Sequence, residues 1–178
     1  MQVLTASAGF GHTDCERIVP AALAQPVLAL TSLAYVVAGL VVLYWARRIS
    51  APLTKGTAVA LIAVGAGSFA YHGPQPSWAQ VVHDVPIVAL GTVCLVGFVV
   101  SVRRGEWSTW LAPAGIMALA LIAYAAGRSG SPLCRPDSLW QYHGAWHVLS
   151  GAAVILAAFA MAPRAMKFRA AGGRYRHG

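Results

Sequence analysis

Polar residues fall in short clusters along this chain, and between the clusters run five apolar stretches, each about one membrane width long. A spanning helix needs roughly 20 predominantly apolar residues. The stretches cover residues 20–45, 53–72, 81–102, 107–127 and 139–161. Helix-breaking or polar residues separate them: Pro52, Gly73-Pro74 with Pro76, Arg103-Arg104-Gly105, and Ser129 to Pro132. The pattern predicts an all-α integral membrane protein, a compact bundle of about five transmembrane helices. The bundle forms one domain over 1–163, followed by a basic cytoplasmic tail over 164–178.

Composition agrees with a bilayer environment. The chain is 58% hydrophobic and 10% charged, against about 25% charged residues in soluble domains. The first nineteen residues hold no basic start or early apolar run, and Asp14 and Glu16 fall where such a run would lie. The first helix is therefore expected to act as an uncleaved targeting signal. Glycines in the spans, such as Gly65, Gly67, Gly91 and Gly97, read as sites of close helix packing.

The net charge of +8 raises nucleic acid as a partner, but the distribution of charge favours the bilayer. With the N-terminus outside, Arg47, Arg48, Lys55, Arg103, Arg104, Arg164, Lys167, Arg169, Arg174 and Arg176 fall inside. Arg17, Arg128 and Arg135 fall outside, a split of ten to three among the 13 basic residues. That is the positive-inside pattern. The tail fixes topology, with contact to anionic headgroups as the lesser reading. Cys94 is mid-helix packing. Cys15 and Cys134 share the outer side, where disulfides are permitted; a bridge and two separate thiols are both open.

A few ionisable residues break the apolar pattern at one level. Ser68 and His72 lie four apart near the end of the second stretch, Asp84 near the start of the third, and His143 and His147 four apart near the start of the fifth. With five spans, all of these ends meet on the outer side. Residues four apart share a helix face about 6 Å from each other. Two histidines so placed on one helix, with a third from another, make a three-histidine site with an open fourth position. That is the pattern of catalytic rather than structural zinc. A lone membrane histidine is more often a hydrogen-bonded packing residue; it is the common depth and the nearby carboxylate that point to a site. Haem would use two histidines and leave Ser68 and Asp84 idle. A proton relay would spread its groups through the membrane.

Neighbouring residues carry weaker signals. His83 precedes Asp84 and points differently on a helix, so it reads as lining the mouth or supporting the site. Tyr71 and Trp146 belong with it, although an aromatic belt accounts for most of the tyrosines and tryptophans at this level.

Taken together, Ser68-x-x-x-His72, Asp84 in a His-Asp-x-Pro context, and His143-x-x-Trp146-His147 resemble the alkaline ceramidase family. That family belongs to the CREST superfamily of membrane hydrolases, which includes adiponectin-type receptors and lipid-remodelling proteins. Asp14-Cys15-Glu16 is similar to the acidic-cysteine stretch before the family's first helix. The resemblance implies a disulfide between Cys15 and Cys134. It also implies a calcium site using Asp14 and Glu16. Gln25 stands about where a further acid is expected, which weakens the case for calcium, because neutral ligands lower affinity. The family has seven helices; the interval from Asp84 to His143 is shorter by about one helical hairpin, so the pocket must be built differently.

The expected function is a zinc-dependent amidohydrolase, ceramidase-like, acting on a membrane lipid that diffuses in from the outer leaflet. His72, His143 and His147 would hold zinc. Asp84 would serve as general base and then acid. Ser68 would stabilise the oxyanion or orient the water. A lipid esterase, or a non-enzymatic receptor or sensor tied together by zinc, are the alternatives.

Overall fold

The computed structural model describes residues 9–47 and 51–162; Arg48 and the basic tail lie outside them. Among these residues, five helical spans are long and apolar enough to cross a membrane. They are α1 Pro26–Ala46, α2 Pro52–His72, α3 Ala79–Arg103, the span Trp107–Ala126 that contains α4 Leu111–Ala126, and α5 Tyr142–Met161. A single 3₁₀ turn, Trp107–Trp110, leads into α4. The protein is an all-helical, multi-pass bundle, as the hydrophobic pattern predicts.

The first helix corrects its predicted boundary. It starts at Pro26, six residues after the expected Pro20. Proline at the first helical position has its φ preset and lacks an N–H that would be unpaired there anyway. Gln25 before it is extended, with φ −129° and ψ 83°, as the residue preceding proline prefers. Residues 19–25 instead turn over the end of α2: Ala24 N–H donates to Gly73 O and Gln25 N–H to His72 O. Glu16 then serves the open end of α1, accepting at 2.8 Å from Val27 N–H and at 2.8 Å from Leu28 N–H. A carboxylate there meets both the unpaired amides and the positive end of the helix dipole.

Helix α1 packs on α2 and α5, α2 also on α3, and α4 on α5. Tyr35, Val42, Leu61, Val64, Leu90 and Val154 form the buried centre. Outward faces carry Leu30, Val37, Leu40, Val88 and Ile122, all more than half exposed, as lipid-facing positions should be. Two glycines set distances that matter for the site. A Cβ on Gly67 would run into Val82 O on α3, and one on Gly127 would sit 2.5 Å from His143 N. The first lets α2 and α3 touch beside His72 and His83; the second seats the end of α4 against the start of α5. Although consecutive in sequence, α3 and α4 bring no Cα atoms within 8 Å of each other and meet only at the 3₁₀ turn, where Phe98 packs on Trp110. A cleft lined by residues of both runs between them.

Candidate metal centre

The three histidines meet. His72 ends α2, and His143 and His147 occupy the first two turns of α5. All three are buried, at 1%, 7% and 2% exposure. Their rings stand 4.9–5.6 Å apart, centroid to centroid. One ring nitrogen from each lies within 4.8 Å of the others, close enough to share an ion.

Hydrogen bonds decide which nitrogens face inward. His72 Nδ1 is 2.9 Å from Gln25 Oε1. The Gln25 amide nitrogen donates to Gly11 O and Glu16 O, so its oxygen must accept, and His72 Nδ1 carries the proton. His147 Nδ1 is 3.0 Å from Thr31 Oγ1. That hydroxyl already donates to Val27 O, so it accepts from His147 Nδ1–H. His143 Nδ1 lies 3.0 Å from Asp14 Oδ1, a close polar contact without the alignment of a hydrogen bond, and an ionised carboxylate can only accept. Nδ1 is thus the protonated nitrogen of His72 and His147, the carboxylate beside His143 favours the same tautomer there, and the Nε2 side of the rings is left for a ligand. His72 Nε2 is buried without a partner. An unpaired buried acceptor costs about 1–3 kcal/mol. A divalent cation shared with the two neighbouring rings would remove that penalty. Three neutral imidazoles with a fourth side left open suit zinc.

Asp14 also bonds Arg128, with Nη1 to Oδ1 at 2.9 Å. Burial pushes its carboxyl up, but the close approach of His143 Nδ1 and the positive charge of Arg128 outweigh it and hold it below the ordinary carboxylate value. Glu16 is raised by burial against the two amide hydrogen bonds. Both acids expected at a calcium ion are therefore engaged with protein partners. Among the described residues, no group of three His, Cys, Asp or Glu side chains gathers around them.

Cys15 and Cys134 are joined, with a Cα–Cα distance of 5.4 Å. The bridge ties residues 9–25 across the mouth of the bundle to the α4–α5 connection. Cys15 N–H donates to Gly127 O, Arg17 N–H to Pro136 O and Ser129 N–H to Thr13 O. Arg17 also holds Asp137 through two bonds of 2.6 and 2.7 Å.

A cavity of about 550 Å³ opens from the triad. Ser68, Tyr71, His83 and Trp146 line it together with the histidines. Asp84, expected as the general base, does not line it. Successive helical residues are about 100° apart, and this register turns His83 inward and Asp84 outward, its side chain 57% exposed. The two are nevertheless linked, with His83 Nδ1 donating to Asp84 Oδ1 at 2.7 Å. The His83 ring stacks on Tyr71 at 4.4 Å and stands 6.1 Å from His72. Farther in, the lining is apolar: Leu90 and Cys94 from α3, Met117 and Leu121 from α4, Val154 from α5. Ile87 and Leu121 line the cavity while 43% and 53% exposed. Gly91 beside them has open space where a Cβ would stand. The cavity's side wall is thus the cleft between α3 and α4.

Thr31, the contact of Gln25 with His72 and that of Asp14 with His143 were not read from the sequence. No protein-family model, curated protein or solved structure matches the chain.

Proposed function

We propose that this protein is a zinc-dependent membrane hydrolase that cleaves an amide in a long-chain, ceramide-like lipid. One observation carries the reading: three inward-facing imidazole nitrogens stand at the head of an apolar cavity that opens sideways between two membrane helices. The resemblance to alkaline ceramidases supports it. A zinc ion held by His72, His143 and His147 would supply a water activated for attack at neutral pH. The chain's own residues do the rest. His83, held by Asp84, exposes Nε2 to the cavity and moves protons between water and the leaving amine. Ser68, one turn below His72, is placed to donate to the carbonyl oxygen. The apolar walls take the acyl chain, entering through the cleft.

Vesicles containing a ceramide-like substrate, with purified protein loaded with zinc, test this. Chelator-sensitive release of fatty acid is expected. Gly91→Phe should cut turnover of long-chain substrate at least tenfold, while a short-chain analogue is spared. Absence of turnover of any lipid amide or ester by zinc-loaded protein would favour the receptor-like alternative.

The same reading places the site and N-terminus on the extracytoplasmic side. A disulfide at the histidine end suits that compartment, and Arg47, Lys55, Arg103 and Arg104 lie at the other end. In a Cys94→Ala background, Ser77→Cys should react with an impermeant thiol reagent in intact cells and Ser108→Cys should not. The reverse pattern would put the site on the cytoplasmic face.

A further inference from the structure

Every Nδ1 partner in the histidine cluster comes from one stretch of chain. Asp14 serves His143, Gln25 serves His72 and Thr31 serves His147. Two of these residues precede the first helix, and the third is in its second turn. None belongs to the helices that carry the histidines. The stretch is held at its beginning by the Cys15–Cys134 bridge and the backbone bonds beside it, with side-chain bonds to Tyr71, Gln75, Arg128 and Asp137 around them; the bridge is the covalent tie.

Asp14 differs from the other two partners. It is the carboxylate in contact with the triad, and its side chain is only 4% exposed. A carboxylate on the far nitrogen of a metal-bound imidazole fixes the ring's tautomer and orientation and raises its basicity. It also brings a negative charge toward a buried dication. Gln25 and Thr31 can fix orientation but bring no charge. Arg128 takes the other side of the same oxygen, with its own side chain 35% exposed. It steadies Asp14 without touching an imidazole in any bond seen here.

We infer that Asp14 is the positioning residue of the metal centre, acting through His143, and that the Cys15–Cys134 bridge is the latch that keeps it there. This rests on the metal reading of the triad proposed above. It assigns to Asp14 a different task from the calcium ligation that the resemblance implies. It also gives the disulfide a task at the metal: Asp14 is the bridge's immediate neighbour in sequence, so loosening the bridge loosens the carboxylate.

The test measures zinc per chain and zinc affinity by chelator competition, in purified protein reconstituted into bilayers, so no substrate is needed. Asp14→Ala should weaken zinc binding by about 10–100-fold, the usual effect of losing such a partner. Asp14→Asn should fall between Ala and wild type, because its amide oxygen can still accept from Nδ1 but carries no charge. Arg128→Ala discriminates a positioning role from a merely structural ion pair. It breaks the same pair but leaves Asp14 on His143, so affinity should stay within a few-fold of wild type. The double variant Cys15→Ser, Cys134→Ser should weaken binding, by less than Asp14→Ala.

Wild-type affinity in folded Asp14→Ala, with zinc lost from His143→Ala, would overturn the role of Asp14 and leave the metal site standing. Equal losses in Asp14→Ala and Arg128→Ala would reduce Asp14 to a structural salt bridge and overturn it likewise. Unchanged affinity in the double cysteine variant would overturn the latch. Wild-type protein that holds no zinc after loading would overturn the metal reading and this inference with it.

Discussion

His147→Ala should empty the metal centre. Wild-type protein is expected to carry about one zinc per chain, and the variant less than about a tenth of that, because a catalytic site has three protein ligands to begin with. Two observations make His147 the most informative ligand to remove. Its ring is nearly fully buried, 2% exposed, so water cannot readily take its place with the right geometry. Its Nδ1 is held by Thr31, whose hydroxyl is anchored on α1, so the vacancy will not be filled by a shift of His143 one turn above. Elemental analysis of purified protein, with helical content checked by circular dichroism, is the measurement. Helical content should persist, since the helices pack through Tyr35, Leu61 and Val154 below the triad. Full zinc retention would sink the assignment. A Soret band in the wild-type protein would point to haem instead.

The parts of this site that were legible in the sequence are those that rest on helical spacing. His143 and His147 share a face because they are four apart. His72 reaches them because an even number of spans separates the end of α2 from the start of α5. Neither inference needs tertiary detail. The partners of the histidines do, because Asp14, Gln25 and Thr31 lie 47 to 129 residues from the rings they serve. No spacing rule links such positions. The one local hint was a buried-type polar residue at the head of an apolar stretch, Gln25 before Pro26, which sequence reading placed inside the first span. The face of α3 was equally hidden. It is set by how the short turn Gly73–Trp78 delivers the chain, and one residue there rotates every side chain by about 100°. That is why Asp84 was expected at the cavity and His83 is found there.

That rotation divides the labour between the two residues in a measurable way. His83→Gln keeps a polar side chain of similar reach but cannot carry a proton. Hydrolysis of a ceramide-like amide should fall by about 10²–10⁴-fold, the typical range for a general acid–base group. The fall should be in kcat, with KM little changed, because the interaction is made in the transition state and the cavity walls that hold the chain are untouched. Bound zinc should stay near wild type, since His83 is not among the three converging ligands. Asp84→Asn should do less. Its side-chain oxygen can still accept from His83 Nδ1–H and keep Nε2 facing the cavity, so only the carboxylate's charge is lost. The ring also keeps its stacking on Tyr71, whose hydroxyl is held by Gly11 N–H. Asp84→Ala removes the acceptor as well and should fall between Asp84→Asn and His83→Gln. The order of the three variants is the decisive readout. If Asp84→Asn loses as much as His83→Gln would be expected to lose, while His83→Gln retains turnover, the carboxylate acts on the substrate directly and α3 must rotate to bring it there.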